Sequence, residues 1–388
     1  WTFSNTTFKT TAVAQTGGIV YMDIGATSTL EINLVLSTFI ESQSTQSGAI
    51  IWLNAPTSSV NLTIQNTSIV NSTTSAVYNT DGGLIYMITK DVNVVMTDVF
   101  VSRADTLSTT QYGGLLWLVV DEVGSTINIV MERVEATQSR GLMYLKNSIT
   151  NPSTINMSIT DSHIHDNNGT TLFYAMATKL GLNMTNCTVE YNQGGSSCVF
   201  VTYSSASQLI SVDQSTFTGN VGQWGAVFGA AATVTDANLQ FVATDSIWQN
   251  NLATKGGYGA TALSLTCAVI CQQTVTLTRN QFLNNSQPLG YGGVLSFYTP
   301  NAPSVTQTLT LLSNTWTANQ AKYGGCVSFF GQTEPIIDVG NDIFLDNSAE
   351  EGGFLYFDPD VNSTSLDMTW LNVQFTDHTA TSGGVMYV

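Results

Sequence analysis

The chain is short of charge. Of 388 residues only 10% are Asp, Glu, Lys or Arg, against roughly a quarter in an ordinary soluble domain. Solubility must therefore rest on hydroxyls, amides or attached sugar. Cations are the scarcer sign: 10 Lys and Arg against 27 Asp and Glu leave a net charge of −17. That balance excludes nucleic acid as a partner, because such binding begins with the neutralisation of phosphates. No basic residue follows Lys322, whereas acidic ones continue from Glu334 to Asp377. No apolar run approaches the roughly 18 residues that a membrane helix needs, so no transmembrane segment is expected. Sustained 3.6-residue periodicity is missing too, which excludes a helical domain. Five cysteines (187, 198, 267, 271 and 326) are too few for a disulfide scaffold, and an odd number leaves at least one unpaired within the chain. Cys267 and Cys271, bracketing a CAVIC segment, are the pair that could close a small loop. Neither an initiator Met, a signal peptide nor a capping segment is visible, so the chain reads as a processed product or a fragment.

What the sequence has in abundance is a repeat. A small residue or Gly pair precedes a short apolar run at Gly17-Gly18 (IVYM), Gly82-Gly83 (LIYM), Gly113-Gly114 (LLWL), Gly292-Gly293 (VLSF), Gly324-Gly325 (CVSF), Gly352-Gly353 (FLYF) and Gly383-Gly384 (VMYV). Degenerate copies stand at Gly48, Gly141, Thr170, Gly195, Gly225 and Gly259. From Gly18 to Gly384 is 366 residues in twelve intervals, a mean of 30.5. A period in this range signals a solenoid, in which each unit buries its apolar face only against its neighbours. A second apolar segment alternates at period two, as in TINIVMERVEA (126–136) and TVTLTRNQF (274–282), and strict alternation means a half-buried strand. A hydrophobic-x-x-Asn signature then ends the unit: Ile164…Asn167, Val189…Asn192, Phe217…Asn220, Trp248…Asn251, Phe282…Asn285, Trp316…Asn319 and Phe344…Asn347. Outlying units end instead in Thr11, Ser42, Arg103 and His378. Turns stacked about 4.8 Å apart would align these side chains, stacking the aromatics and hydrogen-bonding the amides. Asn also suits a left-handed bend at a corner.

The pairing of FxxN with a glycine-aliphatic tetrapeptide, as in FTGN-x4-GAVF (217–228), FLNN-x6-GGVL (282–295), WTAN-x4-GGCV (316–327) and FLDN-x4-GGFL (344–355), resembles the repeats of the chlamydial polymorphic outer-membrane proteins. The resemblance covers nearly the whole chain. It implies a right-handed parallel β-helix of the pectin-lyase-like class, displayed on a surface and used in adhesion. That family carries a C-terminal membrane barrel which this sequence lacks. The expected fold is therefore all-β: a single-stranded right-handed parallel β-helix of about thirteen turns, with roughly 30 residues per turn. It runs through residues 1–388 as one continuous domain with no separate cap. Its ends would be open strand edges, with Trp1, Phe3, Met386 and Val388 as end-to-end contacts.

Aligning the post-glycine segments suggests an outward stripe. If Val20, Ile50, Ile85, Leu116, Met143 and Leu172 face the core, the next residue points out: Tyr21, Ile51, Tyr86, Trp117, Tyr144 and Phe173, then Val199, Phe228, Tyr356 and Tyr387. Such a stripe is a candidate lateral interface, notably at Tyr21, Tyr86, Trp117, Tyr144, Phe173, Tyr356 and Tyr387. A sugar-stacking surface and an aromatic ladder beneath loops are the alternatives, with the interface favoured. Ten Asn-X-Ser/Thr sequons (Asn5, Asn61, Asn66, Asn71, Asn156, Asn168, Asn183, Asn186, Asn284 and Asn362) favour N-linked glycans on an extracellular protein.

Catalysis is not expected. Glycoside chemistry needs two carboxyl groups converging on one bond, and no unit supplies a carboxylate ladder beside a base. Asp161, His163 and His165 share a strand face, with Glu135 and Glu190 expected beside His165 on adjacent turns, and are the best metal-ligand candidates. Asp338, Asp342, Asp346, Glu350 and Glu351 are a candidate Ca²⁺ set. No cofactor is called for. The sequence favours an extracellular structural glycoprotein, a subunit of a filament or surface appendage that associates with itself or with other surface proteins. A surface adhesin with a glycan or protein ligand is the alternative, and a polysaccharide-active enzyme the third reading.

Overall fold

The computed structural model describes residues 1–9, 12–13, 18–45, 48–74, 83–106, 114–120, 122–147, 152–169, 171–194, 199–223, 225–232, 236–257, 259–267, 270–299, 305–331, 334–359 and 365–388. Among these there is no helix. Two compact units divide the chain, Trp1–Asn183 and Met184–Val388. Each is a parallel β-solenoid with turns of about 31 residues.

One turn of the second unit shows the plan. A leading strand, Leu295–Thr299, follows the glycine pair. A second strand, Val305–Leu312, carries the two-residue alternation, burying Val305, Gln307, Leu309 and Leu311 and turning Thr306, Thr308 and Thr310 outward. A three-residue corner strand, Thr315–Thr317, points Trp316 inward. A closing strand, Gln320–Tyr323, leads to the next glycines. Each strand pairs in parallel with its counterpart one turn on: Leu295 with Val327, Thr308 with Ile336, Thr315 with Ile343 and Gln320 with Ser348.

The glycine pair has two separate jobs. Gly324 has φ +68°, and a Cβ there would overlap the carbonyl oxygen of Val327. Gly325 has ordinary φ, but a Cβ on it would overlap the carbonyl oxygen of Gly353 in the next turn. The first glycine allows the bend; the second allows the turns to close up.

Two further bends flank the corner strand, and both use left-handed residues. They fall at Arg279, Ser313 and Asn341, and five residues later at Asn284, Ala318 and Asp346. The expectation that the signature Asn itself takes the bend is corrected. The bend comes one residue earlier, and the Asn that follows turns into the core. Asn192, Asn220, Asn251, Asn285, Asn319 and Asn347 are all fully buried. Asn285 shows how such an amide is saturated. Its Nδ2 donates to Asn319 Oδ1 at 3.0 Å and to the Trp248 carbonyl at 2.8 Å. Its Oδ1 accepts from the backbone N–H of Asn251 at 3.2 Å and from Asn251 Nδ2 at 3.0 Å. Two donors and two acceptor positions are thus all used, which is what makes a buried amide tolerable.

The first unit uses hydroxyls in the same column. Ser72 Oγ accepts the Ser42 backbone N–H at 3.3 Å, and Ser139 Oγ accepts that of Ala104 at 3.0 Å. Ala104, not Arg103, therefore occupies the column position. Arg103 stands at the bend, φ 54°, with its guanidinium on Gln138 and Asn71. Thr11 lies outside the described residues. Inside the second unit, aromatics stack behind the asparagines: Phe217 on Trp248 at 4.1 Å, Phe282 on Trp316 at 4.2 Å and Phe344 on Phe375 at 5.0 Å.

Asn285→Ala should destabilise the protein by on the order of 3 kcal/mol, because it strands buried donors and acceptors on both neighbouring turns. Asn285→Ser, which keeps an acceptor as Ser215 and Ser246 do in the parallel column, should cost less. Urea midpoints at constant slope would show the order.

Candidate functional site: an outward aromatic row

In the first unit the leading strands align Val20, Ile51, Ile85, Leu116, Met143 and Phe173 as one inward row. One residue on, the outward row reads Tyr21, Trp52, Tyr86, Trp117, Tyr144 and Tyr174. All six of these strands contribute an aromatic side chain. Two of them, Trp52 and Tyr174, were missed in the sequence. Ile51 and Phe173 were placed there instead, yet Ile51 is fully buried and Phe173 is 3% exposed. The phase slipped because Ala49-Ile50-Ile51 and Thr171-Leu172-Phe173 are buried without a break, so alternation starts one residue later than a bare count suggests.

Parallel strands hold equivalent rings at the strand spacing, and the rings stack. Tyr21 lies on Trp52 at 4.5 Å between centroids, Trp117 on Tyr144 at 3.9 Å and Tyr144 on Tyr174 at 5.0 Å. Tyr21 is 54% exposed whereas Trp117 is only 3% exposed, so the row is open at Tyr21 and covered at its middle. Two residues further along each strand, Asp23, Asn54, Ile88, Val119, Lys146 and Met176 form the flanking outward row. Asn54 Nδ2 donates to Asp23 Oδ1 at 3.0 Å.

The second unit treats the same position differently. Its outward row reads Val201, Gly229, Ser264, Ser296, Ser328, Tyr356 and Tyr387. Val199 and Phe228, expected outside, are core residues with no exposure, and Phe228 stacks on Phe200 at 4.8 Å. The residues that precede the glycine pairs gather there instead. Tyr291 stacks on Tyr323 at 4.6 Å and meets Phe330 and Tyr356 at 5.6 and 5.7 Å. Tyr356 stacks on Tyr387 at 5.4 Å, and its hydroxyl donates to Asp358 at 3.2 Å. Burial first, then the Asp358 charge, hold the Tyr356 phenol well above its usual range. The repeated Tyr-Gly-Gly at 291–293 and 323–325 was the available signal for this cluster.

The metal candidates are only partly assembled. Register sets Glu135 opposite His163, not His165, although His165 Nε2 still lies 3.5 Å from Glu135 Oε1. His165 Nδ1 is 2.9 Å from Asp166 Oδ2, and the two imidazoles stack at 4.1 Å. Asp161 sits at a left-handed bend. No three His, Cys, Asp or Glu side chains are drawn into a ligand set among the described residues. The acidic Ca²⁺ candidates are dispersed. Asp338 and Glu350 are exposed on different strands, Asp346 is exposed at a left-handed bend and Glu351 is half-buried, while Lys322 lies 4.0 Å from Glu350. Asp342 is fully buried and continues a second internal column after Asn280 and Asn314. Its Oδ1 accepts from the Asn314 backbone at 2.7 Å and its Oδ2 from Trp316 Nε1 at 3.1 Å.

Sequon asparagines stand on the surface. Asn5, Asn66, Asn71, Asn186 and Asn284 occupy left-handed bends, and Asn156, Asn168 and Asn183 are exposed on strands. Asn61 is half-buried, with its Oδ1 accepting from Asn93 at 2.9 Å. Asn362 and Cys198 lie outside the described residues. Cys267 and Cys271 are disulfide-bonded; Cys187 and Cys326 are buried thiols. Trp1 and Val388 are 71% and 69% exposed, Met386 is 38% exposed, and Phe3 packs edge-on against Phe8 at 5.8 Å. No family model, curated protein or solved structure matches the chain.

Burial pushes the Asp342 carboxyl up to about 6, against the hydrogen bonds from Asn314 and Trp316 that favour its ionised form. In the unfolded chain the same group titrates near 3.9. The folded state thus holds the proton more tightly, and the stabilisation is complete below about pH 4 and lost as pH rises through about 6. A difference of that size between the folded and unfolded chain corresponds to about 3 kcal/mol. Asp342→Asn should therefore gain stability relative to the parent between pH 4 and pH 7, read as diverging urea midpoints.

Proposed function

We propose that the protein is an extracellular structural glycoprotein whose leading-strand sheet packs laterally against a second copy in a filament or surface appendage. One observation carries this reading. None of the nine described sequons falls in the post-glycine segments that bear the aromatic rows; where a strand runs on past that segment, as in Ile51–Thr74 and Phe173–Thr185, the sequons come further along it, and the others lie on second strands, closing strands and bends. Glycans are bulky and hold neighbours off. Sugar on every face but one leaves that face to pack, and it is the face with stacked Tyr and Trp. The Cys267–Cys271 disulfide fits an oxidising compartment. Glycine-aliphatic and FxxN repeats like those of the chlamydial family support the right-handed, pectin-lyase-like form of the solenoid.

The stacked Tyr21 and Trp52 also favour a second reading, an adhesin that stacks pyranose rings on the same row. Both readings are separated by one experiment on the glycosylated full chain. Asp23→Asn with Gly25→Thr creates a sequon beside Tyr21, at a glycine around which a Cβ meets nothing within 4 Å. Under the proposal the parent associates in sedimentation and negative-stain images at micromolar concentration, and the added glycan or Trp52→Ser weakens association tenfold or more. A parent that stays monomeric, or association indifferent to both changes, would reject lateral assembly. Binding of the monomer to a glycan array, lost in Trp52→Ser, would establish the adhesin.

A further inference from the structure

We propose that the outward face of the second strands in the second unit is a further self-association surface, on which a second copy packs antiparallel. The inference rests on lateral assembly through the first unit's aromatic row. When one copy's patch meets the same patch on another, the contact is isologous and closes at a dimer. A filament built from such dimers needs a second surface on every subunit. Six strands, Phe200–Asp213, Ala237–Thr244, Cys271–Thr278, Val305–Leu312, Glu334–Gly340 and Asp367–Leu371, stack in register. On their outward side Thr274 and Thr276 lie beside Thr308 and Thr310, with Gln240 and Val242 one turn before.

Charge marks this face out. From Ser207 to Leu312 the outward positions of these strands carry one charged side chain, Asp213. The whole chain bears a net charge of −17, so two copies repel each other wherever their acidic residues meet. Apolar side chains stand out of the same field: Leu209, Leu312, Ile336 and Leu371 are 46%, 43%, 41% and 61% exposed. The second strands of the first unit bear Asn61, Asn156 and Asn183, whereas none of these six strands contains an Asn-X-Ser/Thr. Strand spacing and rise give a footprint of about 24 Å by 23 Å, or about 550 Å² per copy. A complex of standard size uses roughly 800 Å² per partner. The field is thus too small to join two free copies, and suffices once the aromatic row has raised their effective concentration. Glu334, Asp338 and Asp367 lie at one end of it. Antiparallel packing keeps these acids away from their equivalents on the neighbour, whereas parallel packing sets acid on acid.

Thr276→Asn tests this, because with Leu277 and Thr278 it places a sequon at the centre of the field. In the glycosylated full chain, sedimentation and negative-stain images should show filaments for the parent and dimers for Thr276→Asn. Adding Trp52→Ser to that variant should leave monomers. Thr276→Asn with Thr278→Ala, which lacks the sequon, should restore filaments, and matched thermal melts show that the variants fold. A short bismaleimide should join copies of Thr276→Cys and not copies of Thr369→Cys, which lies at the acidic end. Filaments from glycosylated Thr276→Asn, or a parent that stops at dimers, overturn this surface and leave the aromatic-row contact in place. Cross-linking of Thr369→Cys overturns the antiparallel arrangement, and a parent that stays monomeric overturns both contacts.

Discussion

Everything in this structure depends on vertical register. A turn of a β-solenoid pairs with the next by parallel backbone hydrogen bonds, so equivalent residues are held one strand spacing apart. Any buried residue must then be compatible with its own equivalents above and below. Apolar rows meet that condition easily. A buried polar residue meets it only when it can donate to one neighbour and accept from the other, and the carboxamide does both. The Asn192 to Asn347 column is the outcome. Serine in the first unit meets the requirement in part, offering one acceptor to the adjacent backbone.

The same constraint explains why the outer wall is patterned. Register that stacks asparagines inside also stacks whatever faces outward, and the first unit places Tyr or Trp there on each paired leading strand. The second unit puts serine and glycine in much of the row and fills the space with Tyr291 and Tyr323, delivered from the ends of the closing strands before the glycine pairs. A single geometric rule thus yields two surfaces of different texture. Charge follows the rule also: Arg133 sits over Asp98, and Arg279 over Asp245, each one turn apart in bidentate pairs.

Much of the fold was legible in the sequence because the repeat states it thirteen times. The period, the two-residue alternation and the glycine pairs translate directly into turns, second strands and tight bends. Phase was harder to read. Where three apolar residues follow the glycine, as at Ala49-Ile50-Ile51, hydrophobicity alone does not reveal which one begins the alternation, and Trp52 was lost from the row. Arg103 was mistaken for a column member because the true member, Ala104, has no polar group to announce it. Asp342 looked like a surface carboxylate among others; only the fold shows that it replaces an asparagine in a buried column. Tyr291 and Tyr323 end short closing strands, whose burial does not follow a two-residue alternation that would assign a direction.

The asparagine column has a direction. One N–H of each column amide reaches the following turn while its oxygen accepts from the preceding one, the second N–H returning to a backbone carbonyl of the preceding turn, so the amide dipoles of the second unit share one sense. The column is in effect a small electret inside the wall, positive toward the C-terminal turns. The neighbouring column, Asn280 and Asn314, runs the same way and is met at its positive end by Asp342, a carboxylate that, once ionised, can only accept. The ends of a parallel solenoid already differ in the direction of the chain; the aligned amides make the two ends of this column electrically distinct as well.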